Sequence, residues 1–237
     1  MSLVSDYRFR GISQTWRLPA IQGGLDYTHS SGVYLGLWGS SVSGNSYNNG
    51  ASLEVDIYGG YRFQATDALA VDVGVLTYTY PGAKLNSAPG TSSDHGYENV
   101  ELYAGVTSGP FNAKLSVATT NYFGLDGATA GYAYFTALPN RGSSRGTAYG
   151  ELNYTSDLGH DVTFGAHVGH TFVRHYGELS YSDVKVSLTK AWSGFNIGAA
   201  IVATDADRAY YRVADSSGNR GRNTGRPTVV LSVARTF

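Results

Sequence analysis

The feature that most narrows what this chain can become is a period of two in hydrophobicity, repeated from one end to the other. Between Leu53 and Phe63, the residues Leu53, Val55, Ile57, Tyr61 and Phe63 alternate with Glu54, Asp56, Tyr58 and Arg62. Successive side chains of a strand point to opposite faces, so this spacing writes one greasy and one polar face on an extended segment. The same pattern closes the chain. Val229, Leu231, Val233 and Arg235 share a face with the terminal Phe237, while Thr228, Val230, Ser232, Ala234 and Thr236 share the other. A last strand with an exposed apolar face needs a neighbour and an apolar surround. In bacterial outer-membrane barrels both come from closing the last strand on the first inside lipid.

Segments of about ten residues repeat this alternation along the whole chain. They begin at Leu3, Pro19, Val33, Leu53, Leu69, Val100, Phe111, Thr147, Val162, Val184, Phe195 and Thr228, which predicts twelve strands. Connections after the second, fourth, sixth, eighth and tenth are short, whereas most of the others are long and polar. Every second turn therefore lies on the same side as both termini, the topology of periplasmic turns and extracellular loops. A soluble sandwich has no reason to sort its loops in this way. An even count also closes without a leftover edge. The expectation is an all-β fold with one domain over 1–237: a 12-stranded antiparallel transmembrane β-barrel, with short periplasmic turns and longer extracellular loops.

Composition agrees where it constrains anything. The chain has 17 basic and 18 acidic residues, so no basic tract argues for nucleic acid. It has no Cys, which removes any disulfide framework or thiolate metal site and suits passage through an oxidising compartment. A mean hydropathy of -0.20 reads at first as soluble and globular. No run of about 18 apolar residues exists, which rules out spanning helices. Spanning strands expose only every second residue to lipid and keep the average low, and 31 Gly with 19 Tyr fit them. Met1 is followed directly by Ser2 and a strand-like pattern, so we expect a cleaved leader and a Met1 supplied for expression.

Which face points inward follows from width. Barrels of about eight strands are already filled by side chains, and larger ones enclose cavities or channels. Twelve strands at about 4.8 Å spacing and about 40° tilt give a backbone radius of about 12 Å. The polar face is then inside, and its expected pore-lining residues are Asp6, Arg8, Arg10, Asp26, Glu54, Asp56, Arg62, Asp72, Glu101, Lys114, Glu151, Asp183 and Lys185. Asp6, Arg8 and Asp26 are expected together near the periplasmic end, with Arg62 and Asp72 meeting across a short turn. Acidic rings favour cations, which predicts a narrow passive porin, weakly cation-preferring, for small polar solutes or ions. The competing reading is that these charges pair across the lumen and plug it.

Tyr7, Tyr27, Tyr61, Tyr154, Phe63 and Phe111 fall near strand ends on the outer face, as interfacial girdles do. Inward rings suited to sugar stacking are Tyr34, Trp38, Tyr58, Tyr78, Tyr103 and Tyr149. The stretch from Phe123 to Leu138 is apolar enough to fold into or over the mouth. Expected partners are membrane lipid or detergent, the permeating solutes, and the assembly machinery through the strand ending in Phe237.

Enzymatic and metal chemistry find little support. His170 and Ser182 share the outer face of neighbouring strands, the arrangement of a barrel phospholipase, but no acid or amide completes a triad. His167 and His170 point to opposite faces of one strand, so with His175 they do not share an ion. Asp205 and Asp207 read as solvated loop residues, and the sequon at Asn153 sits in mid-strand. No catalytic residue, metal site or cofactor is predicted.

The first quarter also resembles a known family. S-D-Y-R-F-R-G-I-S-Q-T (Ser5 to Thr15), P-A-I-Q-G-G-L-D-Y (Pro19 to Tyr27), G-V-Y-L-G-L-W-G-S (Gly32 to Ser40) and L-E-V-D-I-Y-G-G-Y (Leu53 to Tyr61) resemble the TorF family of porins, proteobacterial outer-membrane proteins. The match is specific over residues 5–61 and general, as spacing and a terminal Phe, beyond them. Trp16-Arg17-Leu18 stands where a small polar turn is expected, which marks the first extracellular loop as different. The resemblance implies an outer-membrane channel and transfers no substrate or catalytic residue.

Overall fold

The computed structural model describes residues 1–46, 51–83, 96–130, 138–215, 218 and 220–237. In chain order its strands are β1 (Ser2–Val4), β2 (Arg8–Phe9), β3 (Ile12–Ser13), β4 (Ala20–Thr28), β5 (Val33–Ser41), β6 (Leu53–Thr66), β7 (Leu69–Thr79) and β8 (Asn99–Ser108). They continue as β9 (Phe111–Ala118), β10 (Ala148–Asp157), β11 (Val162–Phe172), β12 (Tyr181–Trp192), β13 (Phe195–Thr204), β14 (Arg212–Ala214), β15 (Gly221–Asn223) and β16 (Thr228–Ala234). Strands β4 to β13 pair antiparallel in sequence order; β16 joins β13 to β1, and β1 returns to β4. The sheet is thus a closed barrel of twelve strands, as the alternation predicts. The pairs β2–β3 and β14–β15 stand apart from the wall.

The period of two resolves into an apolar outside and a polar inside. Leu25, Ile201 and Leu231 are 76, 62 and 58% exposed on the outer face, whereas Glu54 and Glu101 are 0 and 2% exposed on the inner one. Leaving that many large aliphatic side chains in water forfeits about 1.5–3 kcal/mol apiece, which an apolar surround does not. At the short-turn end Tyr61 stacks on Phe63 at 5.5 Å and Phe111 packs on Tyr154 at 5.1 Å, forming an outward aromatic band.

Four lumenal tyrosines explain four of the strand glycines. Tyr58 lies over Gly36, Tyr34 over Gly60, Tyr103 over Gly74 and Tyr149 over Gly169, each glycine on the adjacent strand. A Cβ at Gly36 would sit 2.1 Å from Cζ of Tyr58. The rings therefore lie flat along the wall, as aromatic cover of strand glycines does elsewhere. Gly36→Ala is expected to push the Tyr58 ring off the wall, break its 2.5 Å hydrogen bond to Asp26 and lower open-channel conductance. Removing the ring in Gly36→Ala/Tyr58→Ala should restore the conductance, and failure of that rescue in single-channel recording would refute the packing account.

The first predicted strand is the main correction. Only Ser2–Val4 stays in the wall, and Ser5 donates its N–H to the Leu231 carbonyl at 2.9 Å before the chain leaves it. Residues 6–17 then fold into the barrel around the small hairpin β2–β3, which turns through Arg10 (φ 46°) and Gly11 (φ 79°). Tyr7 belongs to this inward segment and not to the outer girdle; its ring packs edge-on against Trp38 at 5.3 Å. A two-residue hairpin and a wall strand show the same alternation, so the pattern cannot separate them. Space does: a barrel of this width is not filled by its own wall. Phe9 enters that space, 5.3 Å from the Tyr78 ring and 5.7 Å from Phe123.

Candidate functional site

The lumen is divided into two halves. In the half nearer the long loops, the inward hairpin is joined to wall and loops by polar contacts. Arg10 forms an ion pair with Glu101 at 2.6 Å, with side chains 6 and 2% exposed. Its guanidinium also lies over the Tyr149 ring at 4.1 Å. Tyr7 donates its hydroxyl to Glu54 at 3.2 Å. Asp6 collects Arg8 (2.7 Å), the Ser13 hydroxyl (2.6 Å) and the Thr15 hydroxyl (3.0 Å). Arg8 reaches on to the carbonyls of Thr224 and Arg226 at 2.8 and 3.2 Å. Trp16 donates its indole N–H to the Val213 carbonyl at 3.0 Å, beneath the guanidinium of Arg222.

Above the hairpin, apolar and aromatic residues of loops and wall pack into a cluster. Leu125, Val173, Tyr176 and Leu179 are buried against Tyr78, Tyr80 and Tyr97, with Phe9 and Phe123 packed on them. Phe123, Leu125 and Leu138 come from the stretch expected to cover the mouth; residues 131–137 of that stretch lie outside the described residues. Outside, Arg141 clamps Glu178 through two bonds of 2.6 and 2.5 Å, and this holds the Glu178 carboxyl below its usual range.

In the half nearer the short turns the lumen opens into a cavity of about 500 Å³. Its cationic lining is Arg8, Arg10, Arg62, Lys114 and Lys185, and its anionic lining is Asp72, Glu151 and Asp183. Arg62 meets Asp72 at 2.9 Å and Lys114 meets Glu151 at 3.0 Å. His167 is the hub of the far wall. Its Nε2 lies 2.9 Å from Asp183 and 3.0 Å from the Tyr149 hydroxyl, and its Nδ1 is 2.7 Å from Asn153 Oδ1. On the near wall Tyr34 hydrogen-bonds both Asp72, at 2.6 Å, and Tyr103.

Several predicted site residues are placed differently by this arrangement. Asp6 and Arg8 lie toward the long loops with Thr224, not at the periplasmic end beside Asp26; Asp26 instead accepts from Tyr58. Glu54, Asp56 and Glu101 face inward but are 0, 7 and 2% exposed, covered by the hairpin side of the lumen. Phe9, Ser13, Thr15 and Thr224 are contacts of the inward segment that the alternation does not reveal: Ser13 and Thr15 reach Asp6 only because the segment folds back on itself, and the partners of Phe9 and Thr224 are remote in sequence. The parity of β11 places His167 inward, but nothing in the sequence beyond the rejected metal cluster singles it out as a hub.

The outer-face dyad does not assemble as a catalytic triad. His170 approaches Ser182 through Nδ1 at 3.0 Å, and the nearby Asp205 carboxylate accepts the Ser182 backbone N–H at 2.6 Å instead of orienting the imidazole. His175 bonds the Ser143 carbonyl, far from the His167 network, and no group of metal-ligating side chains forms among the described residues.

No curated protein matches the sequence. Among solved structures the chain is similar to the KdgM porin, with a TM-score of 0.56 at 10% identity over 100% of this chain and 99% of that one. The NanC porin gives the same TM-score of 0.56 and 10% identity, over 100% and 99%. A structure described as a KdgM porin in complex with disordered oligogalacturonate gives 0.55 at 9% identity, over 100% and 99%. At such identities the likeness establishes the fold. A family model described as a bacterial protein of unknown function, Gcw_chp, matches residues 1–237, so the TorF assignment is not retained and only its porin-like barrel stands. The chain belongs to the Gcw_chp family of bacterial proteins.

Proposed function

We propose that the protein is an outer-membrane porin: a single-domain barrel that gives small polar solutes or ions a passive path, without cofactor or catalysis. The observation that carries this reading is the pairing of an apolar outer face with a polar chamber of about 500 Å³ inside a closed wall. Lipid surrounds the outer face, and the assembly machinery takes up the strand that ends in Phe237. Structures of two porins of like architecture, KdgM and NanC, support the choice of class. Purified protein in planar bilayers is expected to give discrete conductance steps. A protein that stays monomeric and stable in buffer without detergent would sink the proposal.

Cation preference belongs to the whole lumen and not to the chamber alone. The acids that suggest it, Glu54, Asp56 and Glu101, are buried, while the chamber carries five cationic lining residues against three anionic. With the hairpin in place the lining leans toward anions; with these acids hydrated the lumen leans toward cations.

The phospholipase alternative has one observation behind it, the 3.0 Å contact of His170 with Ser182. Ser182→Ala is expected to leave lipid release from mixed micelles at the level of the unsubstituted protein, at background in both. Hydrolysis that disappears with Ser182 would replace the porin reading with an enzymatic one.

A further inference from the structure

Residues 6–17 enter the lumen as a loop between two strands that are already partners. Val4 pairs with Ala20, and Ser2 with Gln22, so β1 and β4 would form an ordinary hairpin without anything between them. The inserted segment is therefore dispensable for closing the wall. It brings three guanidinium groups, Arg8, Arg10 and Arg17, and one carboxylate, Asp6, into a lumen whose acids it covers.

The fit between segment and wall is incomplete. Arg17 Nε, Glu54 Oε2 and Asp56 Oδ1 are buried without a hydrogen-bond partner, among the few such atoms of the described residues. Asp56 lies cross-strand from Trp38, the residue against which Tyr7 packs, so these acids flank the segment directly. Buried polar groups are normally satisfied, and a concentration of unsatisfied ones marks stored strain or an unmade contact. The backbone adds to it: Arg10, Trp16 and Arg17 hold φ of 46, 53 and 63°, a region that non-glycine residues rarely occupy. Hydration of Glu54 and Asp56 would relieve part of this mismatch, and that requires the segment to leave.

Resting on the porin reading, we infer that residues 6–17 are a displaceable plug whose position sets the charge preference of the channel. In place, it blocks the long-loop half and lends Arg8 and Arg10 to the chamber. Displaced, it withdraws those cations and uncovers Glu54, Asp56 and Glu101, so that a closed or anion-leaning lumen becomes an open, cation-leaning one. Phe9 and the Arg10–Glu101 pair are the latch.

The test replaces residues 5–19 with Asn-Gly, a two-residue turn that joins Val4 to Ala20 in the pairing they already have. A second protein, Phe9→Ala/Arg10→Gln, keeps the full chain and loosens only the latch. Both are compared with the unsubstituted protein in planar bilayers under a potassium chloride gradient. The expected result is a several-fold rise in conductance in the turn variant, frequent openings to the same level in the latch variant, and a reversal potential displaced toward the cation in both. If all three proteins conduct equally with one reversal potential, or the displacement is toward the anion, the plug is refuted and the channel stands. Silence from all three, with each barrel folded by its heat-modifiable mobility, refutes the channel and the plug with it.

Discussion

Leu231→Arg is expected to destabilise the barrel in lipid by about 2–4 kcal/mol, the range for arginine facing lipid at the bilayer midplane. Leu231 is 58% exposed and pairs with Ala199 near the middle of β13, so a side chain here cannot reach either interface without bending along the wall. The control is Ser187→Arg on the inner face of β12, where the new cation meets the polar lining of the lumen and should cost little. Urea unfolding in vesicles of short-chain lipid, followed by tryptophan fluorescence, measures both. Equal losses at the two positions would mean that the outer face is not in lipid, and the membrane reading would fail with it.

The second large effect is expected at Arg10. Removing one partner of a buried ion pair leaves the other charge unpaired, typically at about 3–5 kcal/mol. Arg10→Ala strips Glu101 of its 2.6 Å partner while the Tyr78 hydroxyl and the Asn99 amide, at 3.3 and 3.1 Å, remain. The penalty can be met locally, since Glu101 regains water once residues 6–17 detach. We therefore expect fast hydrogen exchange across residues 6–17 with a nearly unchanged global unfolding midpoint, and Arg10→Ala/Glu101→Gln should recover part of the protection. A global midpoint that falls by the full amount, with residues 6–17 still protected, would show that segment and wall unfold as one unit.

The wall was legible in the sequence because its two faces are extreme opposites, one apolar and exposed, the other polar and turned inward. Strands such as β6 and β16 must alternate without error when one face meets hydrocarbon and the other polar groups, and the loops must sort by side. The inward segment was not legible for the converse reason. Tyr7 and Phe9 alternate with Asp6 and Arg8 as a wall strand would, but inside the lumen both sets find partners: Trp38 and Tyr78 for the rings, Ser13 and Thr224 for the charges. Gly11 and the loss of alternation from Gln14 to Arg17 were the available signals. Burial of Glu54 and Glu101 was invisible for a related reason, since their cover, Tyr7 and Arg10, comes from more than 40 residues earlier. The glycines, by contrast, carried information that composition alone could not place: Gly36 and Gly74 mark where a tyrosine from the neighbouring strand lies down.

Rooting at both ends has a consequence for how such a segment can behave. Val4 and Ala20 stand side by side in the wall, so residues between them are leashed and never released into bulk. Return to the seated position is a unimolecular event at an effective local concentration of about millimolar, independent of how much protein the membrane holds. Dilution, washing or low expression would leave the balance of the two positions unchanged, and a soluble peptide copying residues 6–17 would compete only when supplied at comparable strength.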